Sequence, residues 1–106
     1  MVKLVFFVPE SHLETVKSAV FAAGAGRIGR YDHCCWQIQG EGQFRPLPGS
    51  NPALGEHFQL HQLMEYRVEM VCDDACIVAA VSALRAVHPY EMPAFEVLSL
   101  MDLSHE

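Results

Sequence analysis

The feature that most constrains this chain is a helical stripe written twice. Leu13, Val16, Val20 and Ala23 recur at spacings of three and four, and a shift of 64 positions lays them on Ile77, Ala80, Leu84 and Val87. Each set turns one helix face toward a core. Strand patterns flank both. Val2–Val8 is an apolar run closed by Pro9, and Arg30–Gln39 alternates with Asp32, Cys34, Trp36 and Ile38 on one side. Leu63–Val71 alternates Met64, Tyr66, Val68 and Met70 against Glu65, Arg67 and Glu69, and Phe95–Met101 reads as a last strand with a fraying acidic tail. The punctuation agrees. Ser11-His12-Leu13-Glu14 has capping-box spacing, Gly24 stops the first helix, Asp73 or Asp74 caps the second, and His88-Pro89 ends it.

Strand–helix–strand, a long loop, then strand–helix–strand specifies an α+β fold. It is the ferredoxin-like split β-α-β sandwich, a four-stranded antiparallel sheet with two helices on one face. Residues 1–106 are expected to form one domain, with a long glycine- and proline-rich loop at about 40–62. Trp36 on the apolar side of its strand places Cys34 in the expected core. The first strand is apolar on both sides, with Val5 and Phe7 opposing Leu4, Phe6 and Val8. Two helices cover one side only. The other is expected to pack on a further copy of the chain.

Seven basic residues stand against thirteen acidic ones, a net charge of −6. The basic side chains are scattered, which excludes a nucleic-acid surface. No apolar run approaches the ~20 residues that span a bilayer. The apolar start runs straight into Ser11-His12-Leu13-Glu14 without a signal-peptide cleavage site, so a cytoplasmic chain is expected. There Cys34, Cys35, Cys72 and Cys76 would be reduced thiols.

Gly24-Ala25-Gly26-Arg27-Ile28-Gly29 matches the dinucleotide fingerprint G-x-G-x-x-G. That motif needs a strand before it and a helix after it. Here the order is reversed, so it reads as a helix stop and a turn with positive φ. His33, Cys34 and Cys35 are the metal candidates, with His57 and His61 beside them. Adjacent strand cysteines point to opposite faces, and the histidine pair would converge only on a helix, so no intrinsic metal is assigned. A divalent metal would be the only cofactor in question. Glu65, Arg67 and Glu69 read as an ion-pair row on one strand face. No nucleophile elbow or phosphate loop occurs and no catalytic residue is assigned. His88-Pro89-Tyr90-Glu91-Met92-Pro93 is stiff and presents His88, Tyr90 and Glu91 in fixed order, which suits a ligand clamp or an interface.

His88-Pro89-Tyr90-Glu91-x-Pro93 between a helix and a strand resembles the same motif in CutA proteins. Phe7-Val8-Pro9, the run Ala22–Asp32, Cys34, Gly40-x-Gly42-x-Phe44-Arg45-Pro46, Asn51-Pro52, Gly55 and Glu65-x-Arg67-x-Glu69 extend it from Phe7 to Phe95. The whole resembles the YqfO-like domain, the CutA-like insert of Nif-three-like dinuclear-metal-centre proteins. Met92 stands where that family often has a second Glu, and Phe95-Glu96 where Tyr-Asp is usual. The resemblance implies a stand-alone insert of CutA/PII-like fold that assembles as a homotrimer. The family's metal ligands lie in flanking domains, so neither the dinuclear site nor a hydrolase activity is implied.

The expected function is therefore a non-enzymatic, oligomeric binding or regulatory module with a small ligand or anion at subunit clefts. A structural protein-docking module, or a metal-binding protein related to Nif-three-like hydrolases, is the alternative. Candidate ligand or interface residues are Phe44, Arg45, Glu65, Arg67, Glu69, His88, Tyr90 and Glu91. The loop and the His88–Pro93 segment are expected to meet across a subunit boundary, with Arg45 reaching Glu91 or an anion.

Overall fold

The computed structural model describes every residue except Leu54, Asp102 and 104–106. Strand β1 (Val2–Pro9) leads through a short 3-10 turn at Glu10–His12 into helix α1 (Leu13–Ala22). Strands β2 (Trp36–Phe44) and β3 (His61–Cys72), helix α2 (Ile77–Val87) and strand β4 (Phe95–Ser99) follow. The sheet order is β2-β3-β1-β4, with every neighbouring pair antiparallel. This is the split β-α-β sandwich. No helix among the described residues is long and apolar enough to cross a membrane.

Register sorts the side chains. Phe6 lies opposite Val68 and Phe95, and Leu4 opposite Met70 and Val97. Leu4, Phe6, Val8, Val68, Met70 and Cys72 form the core with Leu13, Val16, Val20, Phe21, Ala80 and Leu84 of the two helices. Burying each such side chain stabilises the fold by roughly 1.5–3 kcal/mol. The alternate face carries Lys3, Val5 and Phe7, with Arg67 opposite Phe7 and Ile38, and Glu69 opposite Val5 and Trp36. Here Trp36 and Ile38 stay 56 % and 51 % exposed.

Several expectations need correction. The second strand begins at Trp36, not Arg30; only an isolated bridge, Ile28 to Tyr31, precedes it. His33 adopts a φ of 56°, which breaks any strand there. Cys34 is consequently only half-buried, and it is Cys35 that packs against the core. Gly40 and Gly42, assigned above to the loop, belong to β2, and β3 starts at His61. The connection thus shrinks to 45–60. It is held by its own hydrogen bonds: Phe58 N–H to the Pro46 carbonyl (2.7 Å), Ser50 Oγ to the Leu47 carbonyl (2.7 Å), and a His57 ring nitrogen with the Ser50 carbonyl (3.0 Å). Phe58 nevertheless stays 64 % exposed.

The capping box does not form. Ser11 Oγ meets His12 Nδ1 instead, and α1 starts at Leu13 with no side-chain cap. Neither Asp73 nor Asp74 caps α2, whose N-cap position is Cys76 with no side-chain cap; Asp73 Oδ1 instead accepts the Ala75 N–H at 2.9 Å as an Asx turn ahead of the helix. At the helix ends the reading holds: Gly24 has φ of 109° just past α1, and His88 leaves α2 with ψ of 137° ahead of Pro89. The expected acidic tail falls mostly outside the described residues.

Candidate functional site

β4 stops pairing with β1 at Phe95 opposite Phe6, which would leave the end of β1 without a partner on that side. The His88–Pro93 segment takes over. A His88 ring nitrogen, Nε2, donates to the Phe7 carbonyl at 2.7 Å, and Phe7 N–H donates to the Ala94 carbonyl at 3.2 Å. His88 Nδ1 accepts the Tyr90 N–H at 3.1 Å, so the ring is neutral with its proton on Nε2. Burial holds the imidazole below its usual range, against the opposing pull of the Phe7 bond and Glu65.

So anchored, the segment stands against the helix-free face of the sheet. Between them lies a cavity of about 330 Å³, walled by Phe7, Phe44, Pro46, Pro52, Tyr90 and Met92, with Glu65 and Glu91 on its lining. Phe44, last in β2, stacks on His61 at 5.5 Å between ring centroids and leans on Tyr90 at 6.4 Å. Glu91 Oε1 accepts the Asn51 N–H at 2.9 Å and ties the loop to the segment. A Cβ at Gly42 would collide with the Glu65 carboxylate, so this glycine opens the space in which Glu65 lies. The Tyr90 hydroxyl is buried beside the Glu65 carboxylate, and burial first, then hydrogen bonding to Glu65 and the charge of that carboxylate, pushes the phenol up.

Of the expected residues, Phe44, Glu65, Tyr90 and Glu91 meet here, and His88 holds the wall. Loop and segment meet within one chain, because the ordered turn places Asn51 at Glu91 without help from a partner. Arg45 is exposed and not on the lining, and the Asn51 N–H takes the place foreseen for it at Glu91. The row expected from Glu65, Arg67 and Glu69 forms only in part: Arg67 Nε to Glu69 Oε2 is 2.9 Å, Lys3 Nζ of the neighbouring strand reaches Glu69 Oε1 at 3.1 Å, and Glu65 instead lines the cavity. Those two bonds, Arg67 first, hold the Glu69 carboxyl below its usual range. Arg67 also lies 5.7 Å over the Phe7 ring.

Sequence reasoning did not single out Phe7, Pro46, Pro52 or Met92 as cavity walls. Phe7 was discoverable from its place on the uncovered side of β1. The prolines carry no periodic signal. Among the described residues no three His, Cys, Asp or Glu side chains gather closely enough to hold a metal ion. His33 pairs with Asp32 at 3.2 Å and packs on Phe21, and Cys34 Sγ faces the Asp32 carbonyl at 3.6 Å.

The architecture is shared with known proteins. A solved Bacillus cereus protein related to NIF3 superposes with a TM-score of 0.82 at 36 % identity, over 95 % of this chain and 26 % of that one. A Mycobacterium leprae protein named GTP cyclohydrolase 1 type 2 homolog is 44 % identical over 99 residues, 93 % of this chain and 26 % of the relative. The chain carries the YqfO-like domain of the Nif-three-like family. A Bacillus subtilis protein of the same name matches this YqfO-like domain at 39 % identity over 90 % of the chain and 26 % of its own length. The chain thus spans about a quarter of the length of these relatives. PII-like CutA from Nostoc shares the fold of the YqfO-like domain, with a TM-score of 0.67 at 15 % identity over 94 % of this chain and 81 % of that one. No family model matches the chain.

Proposed function

We propose that this YqfO-like domain is a non-catalytic, self-associating binding module that joins further copies through its helix-free sheet face, as a trimer. One observation carries the reading. That face combines half-exposed Trp36 and Ile38 with the ion-paired row of Lys3, Glu69 and Arg67, while the opposite face is already covered by helices. Completing the burial of Trp36 and Ile38 would gain on the order of 1 kcal/mol each per subunit. Four free cysteines support a reducing, cytoplasmic setting. The relatives' name refers to GTP cyclohydrolase; for the quarter of their length that this chain spans, the reading proposed is binding.

Light scattering at micromolar concentration tests this. The expected mass is three times the 11.8 kDa of the chain. Ile38→Glu should give a folded monomer with an unchanged circular dichroism spectrum, because the side chain is half-exposed and outside the core. A monomeric wild type refutes self-association.

A further inference from the structure

The cavity beside His88–Pro93 is one-sided in charge. Glu65 and Glu91 line it, and neither lysine nor arginine does. Arg67, two residues along β3, is committed to Glu69 at 2.9 Å. Among the described residues Glu65 has no ion pair. Glu91 gives one oxygen to the Asn51 N–H. The Tyr90 hydroxyl is buried beside the Glu65 carboxylate, so the pair sets a hydroxyl and a carboxylate together on the cavity lining. Everything else nearby is mostly apolar or aromatic, with Phe44 and Tyr90 presenting rings 6.4 Å apart.

We propose that this cavity binds a small organic cation, an ammonium group carried on an apolar or aromatic body. The ammonium meets the Glu65 carboxylate and the Tyr90 hydroxyl, and the body lies between Phe7 and Phe44. Such a group is attracted both by the carboxylate and by the faces of aromatic rings. A hard metal ion does not suit the place, since it needs six or more oxygen ligands and this wall is largely hydrocarbon. A volume of about 330 Å³ admits one aromatic ring with a short chain. The proposal deepens the reading of this domain as a binding module. It is independent of the oligomer, because one chain builds the whole cavity.

The test is an aromatic and amide NMR titration of the full chain with benzylamine, benzyl alcohol and benzoate. Benzylamine should shift Phe44, Tyr90 and Glu65 saturably and bind at least about tenfold more tightly than benzyl alcohol, as a charge-assisted contact implies. Benzoate should not bind. Glu65→Gln should weaken benzylamine about fivefold or more, and Tyr90→Phe should weaken it less, each with a wild-type melting curve. Should Glu65→Gln misfold, Tyr90→Phe alone decides. Equal affinity for amine and alcohol overturns the proposal. So do shifts confined to other residues, the same shifts with magnesium chloride, or no saturable binding by any probe. Light scattering on the same samples separates the two readings: a monomer that binds benzylamine in this cavity refutes the trimer and supports the site.

Discussion

Replacing His88 by Phe keeps the approximate volume of a side chain that is only 7 % exposed and removes both of its hydrogen bonds. The Phe7 carbonyl would be left without its partner at the point where β4 no longer reaches it, which costs about 1–3 kcal/mol. Losing the Tyr90 N–H bond adds about 0.5–1.5 kcal/mol. The sum, roughly 2–4 kcal/mol, is a large share of the ~5–15 kcal/mol that holds a domain together, but leaves it folded. The melting temperature should fall by roughly 10–20 °C. A pH comparison isolates the imidazole. Its folded pKa is depressed by burial, while an unfolded histidine titrates near ~6.5. Above that value both states are neutral and nothing changes. As pH falls below it, the unfolded chain takes up the proton first, so wild-type stability declines until the depressed folded value is reached. His88→Phe lacks this increment. Urea denaturation at pH 7.5 and pH 5.5 should therefore show a smaller gap between wild type and variant at the lower pH. A loss under about 0.5 kcal/mol, or a gap that does not narrow, refutes the role assigned to His88.

Further outcomes follow from the same geometry. Gly26 has φ of 78°, and a Cβ there would sit 2.6 Å from the Phe21 ring and 2.9 Å from the Cys34 carbonyl, so Gly26→Ala should cost about 2–4 kcal/mol in thermal denaturation. Gly42→Ala meets only the flexible end of Glu65; stability should drop by less than about 1 kcal/mol, while benzylamine affinity falls as the carboxylate is displaced. The Arg67 and Lys3 bonds depress the Glu69 carboxyl, so they stabilise the fold above the unfolded carboxylate value and lose that effect as pH falls through the folded one. Melting temperatures of wild type and Glu69→Gln should accordingly converge between pH 5 and pH 3.

Much of the architecture was legible because it rests on short-range rules. The doubled helical stripe is a matter of spacing, and Val16, Val20, Ala80 and Leu84 are fully buried as that spacing requires. The alternation of β3 placed Glu65, Arg67 and Glu69 on one face, where the register indeed holds them. Gly24 and the His88-Pro89 pair ended their helices through backbone angles that neighbours cannot change. The start of β2 was misread because Arg30–Cys35 alternates as a strand does. Alternation alone does not supply a ladder, and the left-handed His33 withholds one. Gly40 and Gly42 looked like loop, since glycine disfavours strands; pairing with Glu65 and Leu63 across β3 overrides that preference.

The sequence by itself determined the element order, the helix faces, the placing of Glu65, Arg67 and Glu69 on one strand face and the stiffness of His88–Pro93, because each depends on residues within a few positions of one another. Only the tertiary structure decided that the loop and that segment close a cavity in one chain, that Asn51 rather than Arg45 meets Glu91, and that Tyr90 keeps a buried hydroxyl beside Glu65. Those contacts join residues tens of positions apart, such as Asn51 and Glu91 or His88 and Phe7. No local pattern encodes such a meeting. The sheet register sets it, by fixing where β1 and β2 end relative to the last strand.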